Sequence, residues 1–258
     1  MTTASATRAP ARTAWYKATR PDGTDFYSGT VNYAAACGTG LPVTAPTGSP
    51  CDPADRATAY LSLSREPGEA LTGAGWRGPA WPCRLFVCTP VGDVAAEPDQ
   101  MWQPCVPGNA AEASRIDMSW KGRVRSLTVE AEVPAHLALG PNGEAVAAIL
   151  SRVARLTRAE LGASAAAWDE PRAARRAVAW EKAWEAARAA GRGGAAAAAS
   201  GTAWALTRRA VPGPVRWAAG NAALAGVVRD LITPAQFSLL YGPWASVTGA
   251  PRTGGRKA

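Results

Sequence analysis

"RSLTVEAEVPAHLALGPNGEAVAAIL", residues 125–150, changes its period part way along. Up to Val133 the side chains alternate. Leu127, Val129, Ala131 and Val133 fall on one side, and Thr128, Glu130 and Glu132 on the other, as in a strand with one buried face. Beyond Pro141 the spacing turns helical, with Val146, Ile149, Leu150, Val153 and Leu156 on a single stripe. A sheet-bearing half therefore gives way to a helical half near residues 138–142. Strands first and helices second define an α+β fold, here a small mixed or antiparallel sheet followed by an Ala/Trp-rich helical bundle.

Upstream of that boundary, residues 14–19 read as a strand and Pro21-Asp22-Gly23 as a turn. Residues 31–38 read as a short helix stopped by Gly38, and the Pro/Gly/Thr-rich stretch 39–56 as a loop. "TAYLSLS" (58–64) and "CRLFVC" (83–88) have strand alternation, which puts Cys83 and Cys88 on opposite faces. Residues 89–114 read as irregular. Downstream, Thr157 with Glu160 forms a capping-box pattern, and Asp169-Glu170-Pro171 opens a further helix that Gly191 ends. Helices at 195–210 and 214–231 are split by Pro212-Gly213-Pro214. Thr233-Pro234 starts a short helix, "PAQFSLLY", which Gly242 and Pro243 should stop. The expected organisation is a disordered basic arm (1–13), a sheet domain (14–140), a helical domain (141–246) and a disordered basic tail (247–258).

The charge follows the same division. The net charge is +8, yet residues 26–142 carry eight basic and eleven acidic side chains. Residues 143–231 carry thirteen basic and seven acidic, and the tail adds Arg252, Arg256 and Lys257. A basic half of this kind suits an anionic partner or a solvated helical surface. The five cysteines are odd in number, and "MTTASATRAPARTAWYK" lacks a hydrophobic signal core. Both features point to a reduced, cytoplasmic setting. No run reaches the roughly 18 apolar residues of a membrane span, so no membrane partner is expected.

The segment "AAWDEPRAARRAVAWEKAWEAARAAGRGG" (166–194) is built almost entirely from Ala, Arg, Glu and Trp. At about 100° per residue, Trp180 and Trp184 fall together with Ala173, Ala177 and Ala187. Arg172, Arg175, Arg176 and Lys182 gather on one side of that seam, and Glu181 and Glu185 on the other. This predicts an indole–methyl seam packed in a bundle, with the four basic residues as the candidate interaction surface. A second reading has exposed indoles stacking on single-stranded nucleic acid beside phosphate-binding guanidiniums.

Complete catalytic sets are missing. "GAGWRG" (73–78) matches G-x-G-x-x-G, but Pro79 follows it and no helix opens there. The single histidine, His136, lies between a strand and a helix with no nucleophile elbow in the chain. The cysteines lack paired C-x-x-C spacing. No cofactor, metal or catalytic residue is expected on these grounds.

Two resemblances bear on function. The succession of a basic first strand ("WYKATR"), Ser62-x-Ser64 and Glu130-x-Glu132 resembles ADP-ribosyltransferases of the Arg, Ser-x-Ser, Glu-x-Glu type. The resemblance implies an NAD-holding basic residue and serine, and a final glutamate that stabilises oxocarbenium charge. Lys17, or Arg20 in the turn, stands where that family has arginine. More broadly, "YKATRPDGTDF" (16–26), "WPCRLFV" (81–87), the Ala/Trp/Arg-rich helices and "VVRDLITPAQFSLLYGPW" (227–244) resemble an uncharacterised family of actinobacteria and their phages. That likeness implies a small N-terminal domain joined to a helical region and carries no activity. The leading expectation is a non-enzymatic, phage-encoded accessory protein of the host cytoplasm, with a helical domain that contacts protein or nucleic acid. The alternative is an ADP-ribosyltransferase-like enzyme using Ser62, Ser64, Glu130 and Glu132.

Overall fold

The computed structural model describes residues 14–46, 59–71, 80–96, 121–157, 159–160, 163, 172–207 and 213–249. Within them the chain is α+β. The strands are β1 (Trp15–Thr19), β2 (Pro42–Thr44), β3 (Leu61–Ser64), β4 (Arg84–Val91), β5 (Ala95–Ala96), β6 (Lys121–Val124) and β7 (Ser126–Val133). A short helix, α1 (Tyr33–Ala36), lies between β1 and β2. After β7 come α2 (Gly143–Val153), α3 (Ala173–Ala189), α4 (Gly193–Thr207), α5 (Gly213–Val227) and α6 (Pro234–Thr248). The "GAGWRG" motif, Pro171, the expected basic arm and residues 250–258 of the expected tail lie outside the described residues, whereas Val247 and Thr248, assigned to that tail, belong to α6.

Every ladder is antiparallel, and the order is β2-β7-β4-β1-β3-β6-β5. Strands β6 and β7 are separated in sequence by Arg125 alone, yet β4, β1 and β3 lie between them in the sheet. A connection one residue long can span three strands only if the sheet curls round until its flanks meet. Arg125 fastens this corner on both sides. Its carbonyl accepts from the Ala45 N–H at 2.8 Å, and its guanidinium donates to the Ala59 carbonyl. The concave interior buries Trp15, Tyr33, Leu61, Leu63, Phe86, Cys88, Val124, Leu127 and Val129. Gly122 permits this closure: a Cβ there would lie 2.8 and 2.9 Å from ring atoms of Trp15.

The convex face packs on the helices. Ala18, Cys83 and Leu85 join Leu139, Val146, Leu150, Ala183, Ala199, Leu224, Leu240 and Trp244 in one buried cluster. Cys83 and Cys88 thus sit on opposite faces, as alternation requires. Helix α5 contacts α2, α3, α4 and α6 and forms the axis of the bundle. At its seam with α4 a Cβ built on Gly220 would run into the Trp204 indole, and both helices are rich in buried alanines, Ala195, Ala199 and Ala203 in α4 and Ala219, Ala222 and Ala223 in α5. Such small side chains let two backbones approach closely. Polar ties join the two halves. The buried Glu69 carboxylate, in a 3₁₀ turn after β3, accepts the Gly194 N–H of α4 at 2.8 Å. The Ala80 N–H donates to Thr202 Oγ1 at 3.1 Å.

Several sequence expectations need correcting. The loop assigned to 39–56 contains β2, and the irregular stretch after 89 contains the end of β4 and β5. Both strands added there are two or three residues long, too short for a periodic signal. The alternation along 127–133 breaks at a bulge. Val87 opposes Ala131 and Cys88 opposes Val129, so Glu130 is the extra residue. Leu127 and Val129 therefore face the interior, whereas Val133 opposes Leu85 and packs on the helix side. Glu132 then shares the face of Phe86. Gly242 and Pro243 do not stop α6, which runs on to Thr248. Leu240 and Trp244, one turn apart and both buried, draw the helix past Pro243. The area hidden by an indole offsets the roughly 3 kcal/mol that an interior proline costs.

Candidate interaction surface

The composition of α3 dictates an Ala-lined contact, but not the one the projection gives. Ala179, Ala183 and Ala187 form its buried line, repeating at i, i+4, i+8, and Arg176 extends that line at three residues before Ala179. Ala177 is exposed. The indoles of Trp180 and Trp184 flank the line, half-buried, and meet edge to face at 5.7 Å with an interplanar angle of 62°. The helix is thus rotated relative to a Trp-centred seam. Methyl groups occupy the closest approach, where an indole would hold the helices apart, and the rings cover the flank. The Arg188 guanidinium lies 5.8 Å from the Trp184 ring centre and covers its outer side.

The rotation separates the four basic residues named from sequence. Arg172, Arg175 and Lys182 are exposed, as an interaction surface requires. Arg176 is not: it is 3% exposed, because it lies on the same stripe as Ala179 and Ala183. Its long side chain enters the space between α3 and α6, where Arg172, Arg176, Ser238, Gly242, Pro243 and Ser246 border a groove of about 410 Å³. The first turn of α3 has no acidic residue, and the Arg172 side chain does not cap it.

The residues of the enzyme reading do not converge. Ser64 opposes Tyr16, and Glu132 opposes Phe86, which itself opposes Lys17. Tyr16 and Lys17 are neighbours on β1 and face opposite ways, so Ser62 and Ser64 lie on the helix-facing side and Glu132 on the other. Strands β1 and β4 separate them within the sheet. Ser64 Oγ donates to the Glu69 carbonyl. Glu132 accepts from Arg84 Nε at 2.8 Å and from its terminal nitrogen at 2.6 Å, and this pairing holds its carboxyl below the ordinary range. Arg20 donates to the Phe26 carbonyl and holds the β1 turn. His136 Nε2 lies 3.9 Å from Glu144 at the surface. Among the described residues, no cluster of His, Cys, Asp and Glu could hold a metal ion.

Lys17, which stands at the arginine position of the enzyme reading, has an environment that sequence reasoning did not foresee. Lys17 points into the curled sheet, its ammonium 5.2 Å from the Tyr33 ring centre. Loss of water around it pushes its pKa down to about 8, against a weaker opposing pull from Asp25. Asp25 is already occupied: Oδ1 accepts the N–H groups of Tyr27 and Ser28, and Oδ2 accepts Ser28 Oγ and the Val31 N–H. The Tyr33 hydroxyl is buried with no hydrogen-bond partner among the described residues. Burial pushes the thiols of Cys83 and Cys88 up to about 12, which keeps both protonated and unreactive. Strict alternation from Trp15 would have put Lys17 on the inner face, but its charge argues for solvent.

No helix among the described residues is long and apolar enough to cross a membrane. No known protein family, no curated protein and no solved structure matches this chain.

Proposed function

We propose that this is a non-enzymatic accessory protein whose helical half grips the phosphate backbone of nucleic acid. The observation that carries the reading is the exposure of Arg172, Arg175 and Lys182 along one helix, within a half that holds thirteen basic against seven acidic side chains. The curled sheet serves as the platform on which that bundle is built. Trp180 and Trp184 pack on each other and on the core, so the contact is made by charge rather than by base stacking. Binding of this type has little sequence preference and weakens steeply with salt. In keeping with the resemblance to an actinobacterial and phage family, the setting proposed is the host cytoplasm.

The test is fluorescence anisotropy with labelled single- and double-stranded oligonucleotides of mixed sequence. Affinity should fall by at least about tenfold between about 50 and 200 mM salt. The triple change Arg172→Glu, Arg175→Glu, Lys182→Glu should abolish binding while the far-UV spectrum is retained. Absence of binding at low salt, or equal binding by the triple variant, removes the proposal and leaves a protein partner for this face.

A further inference from the structure

We infer that the indoles of Trp204 and Trp217 form a stacking site for the unpaired bases of single-stranded nucleic acid. The inference rests on the nucleic-acid reading above and narrows it to single strands. Trp204 is on α4 and Trp217 on α5. They are 39% and 43% exposed. Neither ring joins the packed core, whereas Trp244 is buried within it and Trp180 and Trp184 pack against it. An indole is among the largest apolar surfaces a side chain can bury, so two left open side by side mark a surface that a partner covers.

The two rings meet edge to face, with 4.8 Å between centres and 79° between planes. Two flat surfaces at that angle make an open corner. A flat ring laid in it stacks on one indole and turns its edge to the other, the two arrangements that aromatic pairs prefer. The corner is set before any ligand arrives. Gly220 lies one turn after Trp217 on α5, and the Trp204 indole rests so close to it that a Cβ there would run into the ring. A ring seated against backbone has little freedom left to lose on binding. The charge along this stretch has one sign. Between Glu185 and Asp230 the sequence holds no carboxylate side chain, and Arg216 adjoins Trp217. A nucleotide brings both matching parts, a flat base and a negative phosphate, and every base has such a face. In a duplex both faces of a base are covered by its neighbours, so the corner selects unpaired strands.

The test is fluorescence anisotropy of the full chain with labelled oligodeoxythymidylate of about 12 nucleotides and with a duplex of mixed sequence. Trp217→Ala should weaken the single strand by at least about fivefold, the lower end of what one stacked base is worth, and leave the duplex within about twofold. Trp217→Phe should retain most of the single-strand affinity and Trp217→Leu should not, because leucine keeps apolar bulk without a flat face. These two variants preserve the apolar contact of the site, so they carry the test if Trp217→Ala does not fold. Leu41→Ala, which removes an exposed apolar side chain next to β2, should change neither affinity.

The inference is overturned if Trp217→Ala binds the single strand as the parent does, if it loses single strand and duplex equally, or if leucine serves as well as phenylalanine. Absence of single-strand binding by the parent at low salt also overturns it. If vesicles of phosphatidylglycerol bind instead, and Trp217→Ala loses them, the pair is an anchor to a lipid surface. The α3 face and the indole corner fail separately. Should the triple change Arg172→Glu, Arg175→Glu, Lys182→Glu leave binding intact while Trp217→Ala weakens the single strand, the α3 face is removed and the corner stands. Should the triple change abolish binding while Trp217→Leu and Trp217→Phe both match the parent, the α3 face stands and the corner is removed.

Discussion

Lys17 shows how one side chain carries a cost that the surrounding fold can bear. Its folded pKa, about 8, lies below the ordinary 10.5 because burial penalises the charged form. The sign of the linkage follows. Below about pH 8 both states are protonated and the folded chain bears the full penalty. Between about 8 and 10.5 the folded chain has released its proton while the unfolded chain keeps it, so stability rises with pH. Lys17→Met should therefore stabilise the protein at neutral pH by about 1–3 kcal/mol, read from urea unfolding, and should flatten the rise between pH 8 and 10. A destabilised Lys17→Met would mean that the ammonium makes a net favourable contact inside the sheet. Tyr33→Phe should be close to neutral, because the hydroxyl it removes has no partner to lose among the described residues.

At the scale of the element, two local devices carry measurable energy. Helix α6 begins with a full capping box: Thr233 Oγ1 accepts the Gln236 N–H at 3.2 Å, and Gln236 Oε1 accepts the Thr233 N–H at 2.8 Å. Thr233→Ala should cost about 1 kcal/mol in denaturant unfolding. In β6, Gly122→Ala would push a methyl against the Trp15 ring and to 2.5 Å from Val94 Cγ1. It should cost about 1–3 kcal/mol and shift the Trp15 emission, whereas an unchanged midpoint would show that the corner is looser than described. The start of α6 at Thr233-Pro234 was legible beforehand because a helix start is a short-range chemical pattern. Thr157 and Glu160 likewise pair as their spacing requires, and Gly191 follows α3 with φ of +65°. Val146, Ile149, Leu150 and Val153 of the expected stripe are buried, whereas Leu156 lies past the end of α2 and is half-buried. What escaped depends on partners distant in sequence. The bulge at Glu130 exists only opposite β4, β6 is two-quarters basic, and the burial of Arg176 follows from how closely Ala-rich helices approach.

For the molecule as a whole, the decisive fact is that one buried cluster includes side chains from both the sheet and the bundle. Neither half hides its apolar face alone, so both should unfold in one transition, with tryptophan emission and far-UV dichroism changing together. Two separated midpoints would show that the halves fold independently. Acid should act through the joint where the Arg192 guanidinium grips Asp230 at 2.7 and 2.8 Å, with the Asn142 amide alongside. That grip pulls the Asp230 pKa down to about 2. Its stabilisation is complete above about pH 4 and vanishes as pH drops through 2, so Asp230→Asn should narrow the difference in stability between pH 5 and pH 2.5. The corner at Arg125 also constrains biosynthesis. Residues 121–133 flank the trio β4-β1-β3 on both sides, so a ribosome that has released only the first hundred or so residues presents β3 and β4 with bare hydrogen-bonding rims. Until that belt emerges and is buckled, the nascent chain is at its stickiest, and truncations ending before Lys121 should precipitate or be held by chaperones.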